Sequence, residues 1–316
     1  MNALLVGVLG TRNRRRARVP LGGAHRRDFS WIEQRKIAGI GLAPHRGVSR
    51  VGTSEPGYPP TVNLVAFSLA CVSTPVATQD FSDAATSALA HFDDEDPATL
   101  IAAVKALEEQ VNEAVDASAE DFLVRGLTQA PLDEAAIEGL THPDRDPTLG
   151  VPVSLAWLSP FRPEDHDDIT LLDDLTPVEP ASPEKYDRVF DEGGDCYPEC
   201  EFARTTNQVT RQNILFTMDQ ETKKDFRALE VDGRAFRLSR GWFEEPASNP
   251  EGTATVQQSY TIEVWLADSG GSLRVQVTWV ETTFTDAKYD DDLIAGTVRM
   301  GIDAQFDAHD AWISQQ

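Results

Sequence analysis

Two alternating segments, Val256 to Leu266 and Leu273 to Phe284, flank the turn Asp268-Ser269-Gly270-Gly271 and constrain the fold more tightly than any other part of the chain. Tyr260, Ile262, Val264 and Leu266 fall on every second position of the first, and Val275, Val277 and Trp279 do the same on the way back. A period of two sends successive side chains to opposite faces of a strand, so two such runs around a short Gly-containing turn predict an antiparallel hairpin. A second hairpin is expected from Asp225 to Phe243, turning at Asp232-Gly233, with Phe226, Leu229, Phe236, Leu238 and Trp242 as its apolar positions. Phe202 to Met218 is polar but strand-like, with Thr205, Thr206, Val209, Thr210, Ile214, Phe216 and Met218. Val151 to Leu158 is a further candidate strand.

Helical spacing brackets these strands. Asp96-Pro97 supplies a capping residue and a Pro at the first helical position, and Leu100, Ile101, Val104, Leu107, Val111 and Val115 recur three and four apart, which predicts a helix to about Ala117. Glu120 to Leu127 and Leu132 to Leu140 read as shorter helices. A further helical pattern opens at Pro163, with Ile169, Leu171, Leu172 and Leu175 on its apolar side, and Lys185 to Phe190 reads as one more turn. Asp292 to Ile313 carries Leu293, Val298, Ile302, Phe306, Ala308 and Trp312, a long terminal helix. The expected fold is therefore α+β: an antiparallel sheet of five to seven strands packed by a long C-terminal helix, preceded by a small helical module. The corresponding segments are a basic leader at 1–70, a tether at 71–80, the helical module at 81–145 and the α+β domain at 146–316.

This order of strand, helices, antiparallel strands and terminal helix resembles the helix-grip fold of the START and Bet v 1-like lipid-binding superfamily over about residues 150–316. The resemblance implies a cavity between sheet and helix for an apolar small molecule. Trp242, Tyr260, Trp265, Trp279 and Phe306 are its candidate lining residues; the competing reading is that they fill the core. The residues around Ser68-Leu69-Ala70-Cys71 and the Val256 to Phe284 segment also resemble uncharacterised lipoproteins of myxobacteria, a group that implies no activity.

Charge divides the chain near Cys71. Residues 1–70 hold 11 Lys and Arg against 3 Asp and Glu, whereas the whole chain has a net charge of -24, so the remainder carries -32. Arg12, Arg14, Arg15, Arg16, Arg18, Arg26 and Arg27 sit in sequence with no sustained helical or strand period. Three readings of this leader stand: a start of translation further downstream, an arm for nucleic acid or anionic lipid, or an export signal around Arg26-Arg27. The acidic remainder argues against nucleic acid as a partner, because both surfaces are negative.

Ser68-Leu69-Ala70-Cys71 closes a short apolar run from Val62 and resembles the lipobox of bacterial lipoproteins, with Ala70 in place and Ser68 where that pattern has Leu. The run is far shorter than the roughly 20 residues of a transmembrane helix. Lipidation of Cys71 implies export, attachment to a membrane through a lipid anchor, and a location at the outer membrane facing the periplasm or the surface; the alternative is a buried free cysteine. The other two of three cysteines, Cys196 and Cys200, lie four apart after Gly193-Gly194, close enough for a disulfide. A metal or redox role for that pair is less favoured.

No arrangement of residues commits the chain to a reaction, a cofactor or a bound metal. Asp165-His166-Asp167-Asp168 holds ligand-type residues, but neighbours on a helix diverge, and a solvated acidic face is expected. Asp303, Asp307 and Asp310, with His309, are likewise expected to face solvent. Two functions remain: a lipoprotein that binds an apolar ligand without catalysis, or a structural or interaction lipoprotein whose helical module meets a partner through Ile101, Val104 and Leu107. A buried His or carboxylate pair in a cleft would bring catalysis forward.

Overall fold

The computed structural model describes residues 80–117, 130–212, 216–268, 270–285 and 290–316. The chain divides into two units, Met1–Cys71 and Val72–Gln316, and every described residue belongs to the second. The leader, Cys71, the tether up to residue 79 and the helix expected at 120–127 lie outside the described residues.

Helix α1, Phe81–Ala90, starts at Asp80, whose side chain accepts from the Asp83 amide at 2.8 Å. Helix α2, Ala98–Ala117, starts where the Asp96 carboxylate accepts from the Ala98 amide. The strands are β1 Val151–Ser159, β2 Lys185–Glu192, β3 Phe202–Gln212, β4 Thr217–Val231, β5 Arg234–Trp242, β6 Ala247–Ser248, β7 Ala254–Asp268 and β8 Gly271–Phe284. They form one antiparallel sheet in the order β1-β8-β7-β5-β4-β3-β2, with the short β6 beside β7. Both expected hairpins are present. Asp232 and Gly233 take φ of 55° and 75°, the left-handed pair that a two-residue turn between β4 and β5 requires. Helix α3, Asp167–Thr170, is a single turn, and α4, Asp291–Ile313, is the long terminal helix. No helix among the described residues is long and apolar enough to cross a membrane.

Three local expectations are corrected. Lys185 to Phe190 is strand β2, not a helical turn, because Tyr186 and Arg188 are buried while Lys185, Asp187 and Val189 are exposed. That alternation was hidden by an arginine on the buried side. The helix expected after Pro163 stops at Leu171, since Leu175 donates its amide to the Tyr186 carbonyl and Arg188 to that of Asp173, drawing 173–175 alongside β2. Leu132 to Leu140 holds only one 3₁₀ turn, Glu134–Ile137.

The two faces of the sheet have different company. On one, Tyr260, Ile262, Val264 and Leu266 of β7 join Val275, Val277 and Trp279 of β8 and Phe236, Leu238 and Trp242 of β5 in a core shared with α1 and α2. Buried Leu100, Val104, Leu107 and Val111 are the α2 side of that core. Asp225, fully buried, accepts from Arg204 Nε at 2.7 Å and from Arg240 Nε at 3.1 Å, and Arg240 also bonds Asp93 just past α1. Arg227 Nη1 donates to the Phe92 carbonyl at 2.7 Å, and Arg234 pairs with Glu108 of α2 at 2.7 Å. The module is thus bound to the sheet by apolar packing and by charge-assisted bonds. The other face meets α4: Ile302 and Phe306 pack on Val153, Leu155 and Trp157, while Ile294 packs with Met218, Phe243, Val256 and Val280.

Candidate functional site

Between α4 and the strands it crosses lies a cavity of about 220 Å³. Its floor is the polar phase of the same alternating strands: Thr222 and Lys224 from β4, Ser259, Thr261 and Glu263 from β7, Gln276 and Thr278 from β8. Gly241 lies in the middle of this floor. A Cβ there would stand 3.3 Å from Lys224 Cγ, so the glycine leaves the lysine stem room to lie across β5. Above, Gly301 of α4 borders the cavity, and a Cβ on it would meet nothing within 4 Å.

Polarity changes along the strands. At the Val256 and Phe284 end, Phe216, Phe243, Val280, Ile294 and Val298 make an apolar wall, with the Phe216 and Phe284 rings 6.1 Å apart. At the Glu263 end the wall is charged. Glu263 Oε1 accepts from Arg274 Nε at 2.9 Å and its Oε2 from Ser239 Oγ at 3.2 Å, and Lys224 Nζ stands 3.7 Å from that same Oε2. Glu179 accepts from Gln305 Nε2 at 2.6 Å and lies 3.8 Å from His309 Nε2. A small pocket of about 20 Å³, bordered by His166, Arg188 and His309, adjoins the cavity and shares Glu179, Lys224, Glu263 and Gln305 with it.

Burial and charge set the protonation states here. Burial opposes ionisation of Glu179, but His309, Arg211 and Lys224 outweigh it and hold the carboxyl down to about 2. Glu263 is also buried, and Arg274 and Lys224 bring it below the ordinary carboxylate value. Burial, then Arg274, lowers His309; the same two causes push His166 well below 6.5. At neutral pH the site therefore holds two charged carboxylates and two neutral imidazoles. All four ring nitrogens of the histidines lack a hydrogen-bond partner.

The aromatic candidates divide. Trp242 borders the cavity but also belongs to the core shared with α1 and α2, under the Arg240 guanidinium at 5.4 Å. Tyr260 and Trp279 lie in that core, where Trp279 Nε1 donates to the Ala130 carbonyl at 3.1 Å and ties module to sheet. Trp265 and Phe306 flank Arg274, whose guanidinium carbon is 5.0 Å and 3.8 Å from their rings. Of the five, only Trp242 borders the main cavity. Cys196 and Cys200 form a disulfide, with Cα atoms 5.4 Å apart, in the connection between β2 and β3. Of the two groups expected to face solvent, Asp165, Asp168 and Asp307 do so, but the histidines are buried and two of the aspartates are paired. His166 is 3% exposed and Asp167 pairs with Arg237 at 2.7 Å; His309 is 5% exposed, and Asp310 accepts from Ser159 Oγ at 2.7 Å and from Trp157 Nε1.

Sequence reading passed over Lys224, Glu263, Gln276, Arg274 and Glu179. The available signal was the polar phase of the hairpin, Ser259, Thr261 and Glu263 against Gln276 and Thr278, followed by a helix apolar enough to cover it.

No protein-family model and no curated protein matches the chain. Among solved structures, it is similar to a STAR-related lipid transfer protein from Xanthomonas axonopodis, at 9% identity and a TM-score of 0.33 over 51% of this chain and 84% of that one. It is similar to a START superfamily protein from Mycobacterium smegmatis, at 11% identity and 0.31 over 52% and 97%. A conserved protein from Geobacillus kaustophilus is similar at 6% identity and 0.32 over 52% and 95%. No ligand or activity is transferred from likenesses of this size.

Proposed function

We propose that the domain is a non-catalytic binding module for a small amphipathic molecule, seated between α4 and the sheet, and that Cys71 holds it at a membrane surface as an exported lipoprotein. The cavity carries the binding reading. Thr261 of β7 and Gln276 of β8 lie beneath a 23-residue helix, yet both remain partly exposed, through that space. Interiors pack to crystal-like density, so a void of this size at the centre of a sheet face is a feature to be explained. At 220 Å³ it is smaller than the roughly 300 Å³ at which drug-sized pockets begin, and larger than the 150 Å³ engineered cavity that takes benzene. The fitting ligand has on the order of ten heavy atoms, its apolar part on Phe243, Val256 and Ile294 and its polar part over the hydroxyls of the floor.

The lipobox-like tetrapeptide and the charge change beside it support the anchor. The interaction reading needs an exposed apolar patch on Ile101, Val104 and Leu107. Val104 and Leu107 are instead 1% exposed in the core shared with the sheet, with Ile101 packed against it. His309 and Glu179 favour catalysis as a second reading, since a neutral imidazole beside a carboxylate is the pairing of a general base. No hydroxyl or thiol among the described residues bonds to either histidine ring, so no nucleophile is activated there.

Thermal unfolding of the full chain with increasing octan-1-ol tests the binding reading. The midpoint rises with concentration in the parent and stays flat in Gly301→Phe, whose ring occupies the cavity; a flat response in the parent removes the reading. Intact mass of protein extracted from its native membrane tests the anchor: acylated chain beginning at Cys71 supports it, and unmodified chain contradicts it.

A further inference from the structure

Accepting the cavity as a binding site, we infer that its charged end recognises a carboxylate, so that the module selects small amphipathic carboxylic acids over alcohols or amines. The inference rests on an excess of positive charge whose donors are incompletely matched. Lys224 and Arg188 border the small pocket with Glu179 and Glu263, and Arg274 stands behind Glu263 as a third cation. The two carboxylates already have donors: Arg274 and Ser239 for Glu263, Gln305 for Glu179. The cations are less well matched. Arg188 spends its donors on neutral oxygens, Asn207 Oδ1 at 3.0 Å and the carbonyls of Ile169 and Thr170. Arg274 Nη1 is buried with no partner. Lys224 Nζ has Glu263 Oε2 at 3.7 Å, beyond hydrogen-bond reach, and no acceptor within reach among the described residues. The neutral imidazoles add no net donors, since each brings one N–H and one acceptor nitrogen, and His309 Nε2 already stands 3.8 Å from Glu179 Oε1.

An unpartnered buried donor costs about 1–3 kcal/mol, more when charged. A water in the small pocket satisfies some of these groups, because about 20 Å³ is room for one, but it leaves the surplus charge in place. A carboxylate brings two oxygens with about four acceptor positions and one negative charge. Lys224, with its stem laid across Gly241 at the junction of the two spaces, is the residue placed to meet it. An alcohol offers at most two acceptor positions and no charge, and an ammonium group meets Lys224 and Arg188 with its own charge. The chain as a whole is strongly acidic, at -24, so this local excess runs against its background.

Calorimetric titration of the full chain with octanoate, octan-1-ol, octylammonium and acetate at pH 7 and equal ionic strength tests this. Octanoate binds at least about tenfold tighter than octanol, the scale of one charge-assisted hydrogen bond; octylammonium is weakest, and acetate is far weaker than octanoate. In Lys224→Gln the octanoate-to-octanol ratio falls to about one, and Lys224→Arg restores part of it. Octanol equal to octanoate, or octylammonium tightest, overturns the carboxylate inference and leaves the binding module standing. Acetate as tight as octanoate makes this a site for free anions and overturns the amphipathic part. Binding of none of the four removes inference and module together.

Discussion

The same strands that build a solid core on one face of the sheet enclose a hollow, charged space on the other. On the α1 and α2 side, β5, β7 and β8 present Phe236, Val264, Val277 and Trp279, all buried in one apolar cluster with the two helices. On the α4 side, the alternate positions are Ser239, Glu263, Gln276 and Thr278, and α4 makes apolar contact chiefly with β1 and with the Val256 end. Stability therefore resides mainly in the face covered by the N-terminal helices, which leaves the face under α4 free to hold polar groups. The N-terminal helical module has a physical reason to exist: it takes over the burial that the cavity face gives up.

The contrast can be broken most sharply by truncation in the core. Phe236→Ala, at a side chain with no exposure in the module-side cluster, costs about 3–5 kcal/mol, read from urea unfolding. A loss under about 1 kcal/mol contradicts the assignment of the main core to that face.

Acid tests the cavity side. His166 and His309 have folded values below 6.5, so the unfolded state binds more protons as pH falls and stability drops below pH 6.5. His166, the more strongly lowered of the two, contributes the larger share, and His309 adds in the same direction. Unfolding midpoints at pH 7 and 5.5 measure this, and His166→Asn with His309→Asn flattens the difference. Glu179 acts lower: its contribution is full above about 4.5 and is lost as pH falls towards its folded value of about 2.

Substitutions at two glycines sharpen the comparison within the cavity. Gly301→Ala stabilises by about 0.5–1 kcal/mol through helix propensity, because its methyl meets nothing. Gly241→Ala displaces the Lys224 stem by a few tenths of an ångström, because its methyl would stand 3.3 Å from Lys224 Cγ, and the octanoate affinity reads that shift. The smallest effect is expected at Thr261→Val, within about 0.5 kcal/mol, because its hydroxyl bonds only the Thr278 hydroxyl beside open space.

Much of the architecture was legible because period-two alternation is a local signal: both hairpins, β1 and α4 follow from residues a few positions apart. β2 escaped because its buried positions are Tyr186 and Arg188, and the arginine is satisfied by Asn207 and by carbonyls near α3, contacts that no local pattern encodes. The site was the least legible part. Aromatic residues mark burial, and here burial meant the module-side core for Tyr260 and Trp279, whereas the cavity is made by polar residues that read as solvent-facing. Deciding between those faces requires knowing that α1 and α2 cover one and α4 the other, which is a property of the assembled chain.

Methyl NMR on the full chain during titration with octan-1-ol tests the central claim most directly. The account predicts concentration-dependent shifts at Val256, Val280, Ile294, Val298 and Ile302, around the cavity, and none at Leu107, Val264, Val275 or Val277 in the module-side core. Shifts confined to the second group, or absent from both, would contradict it.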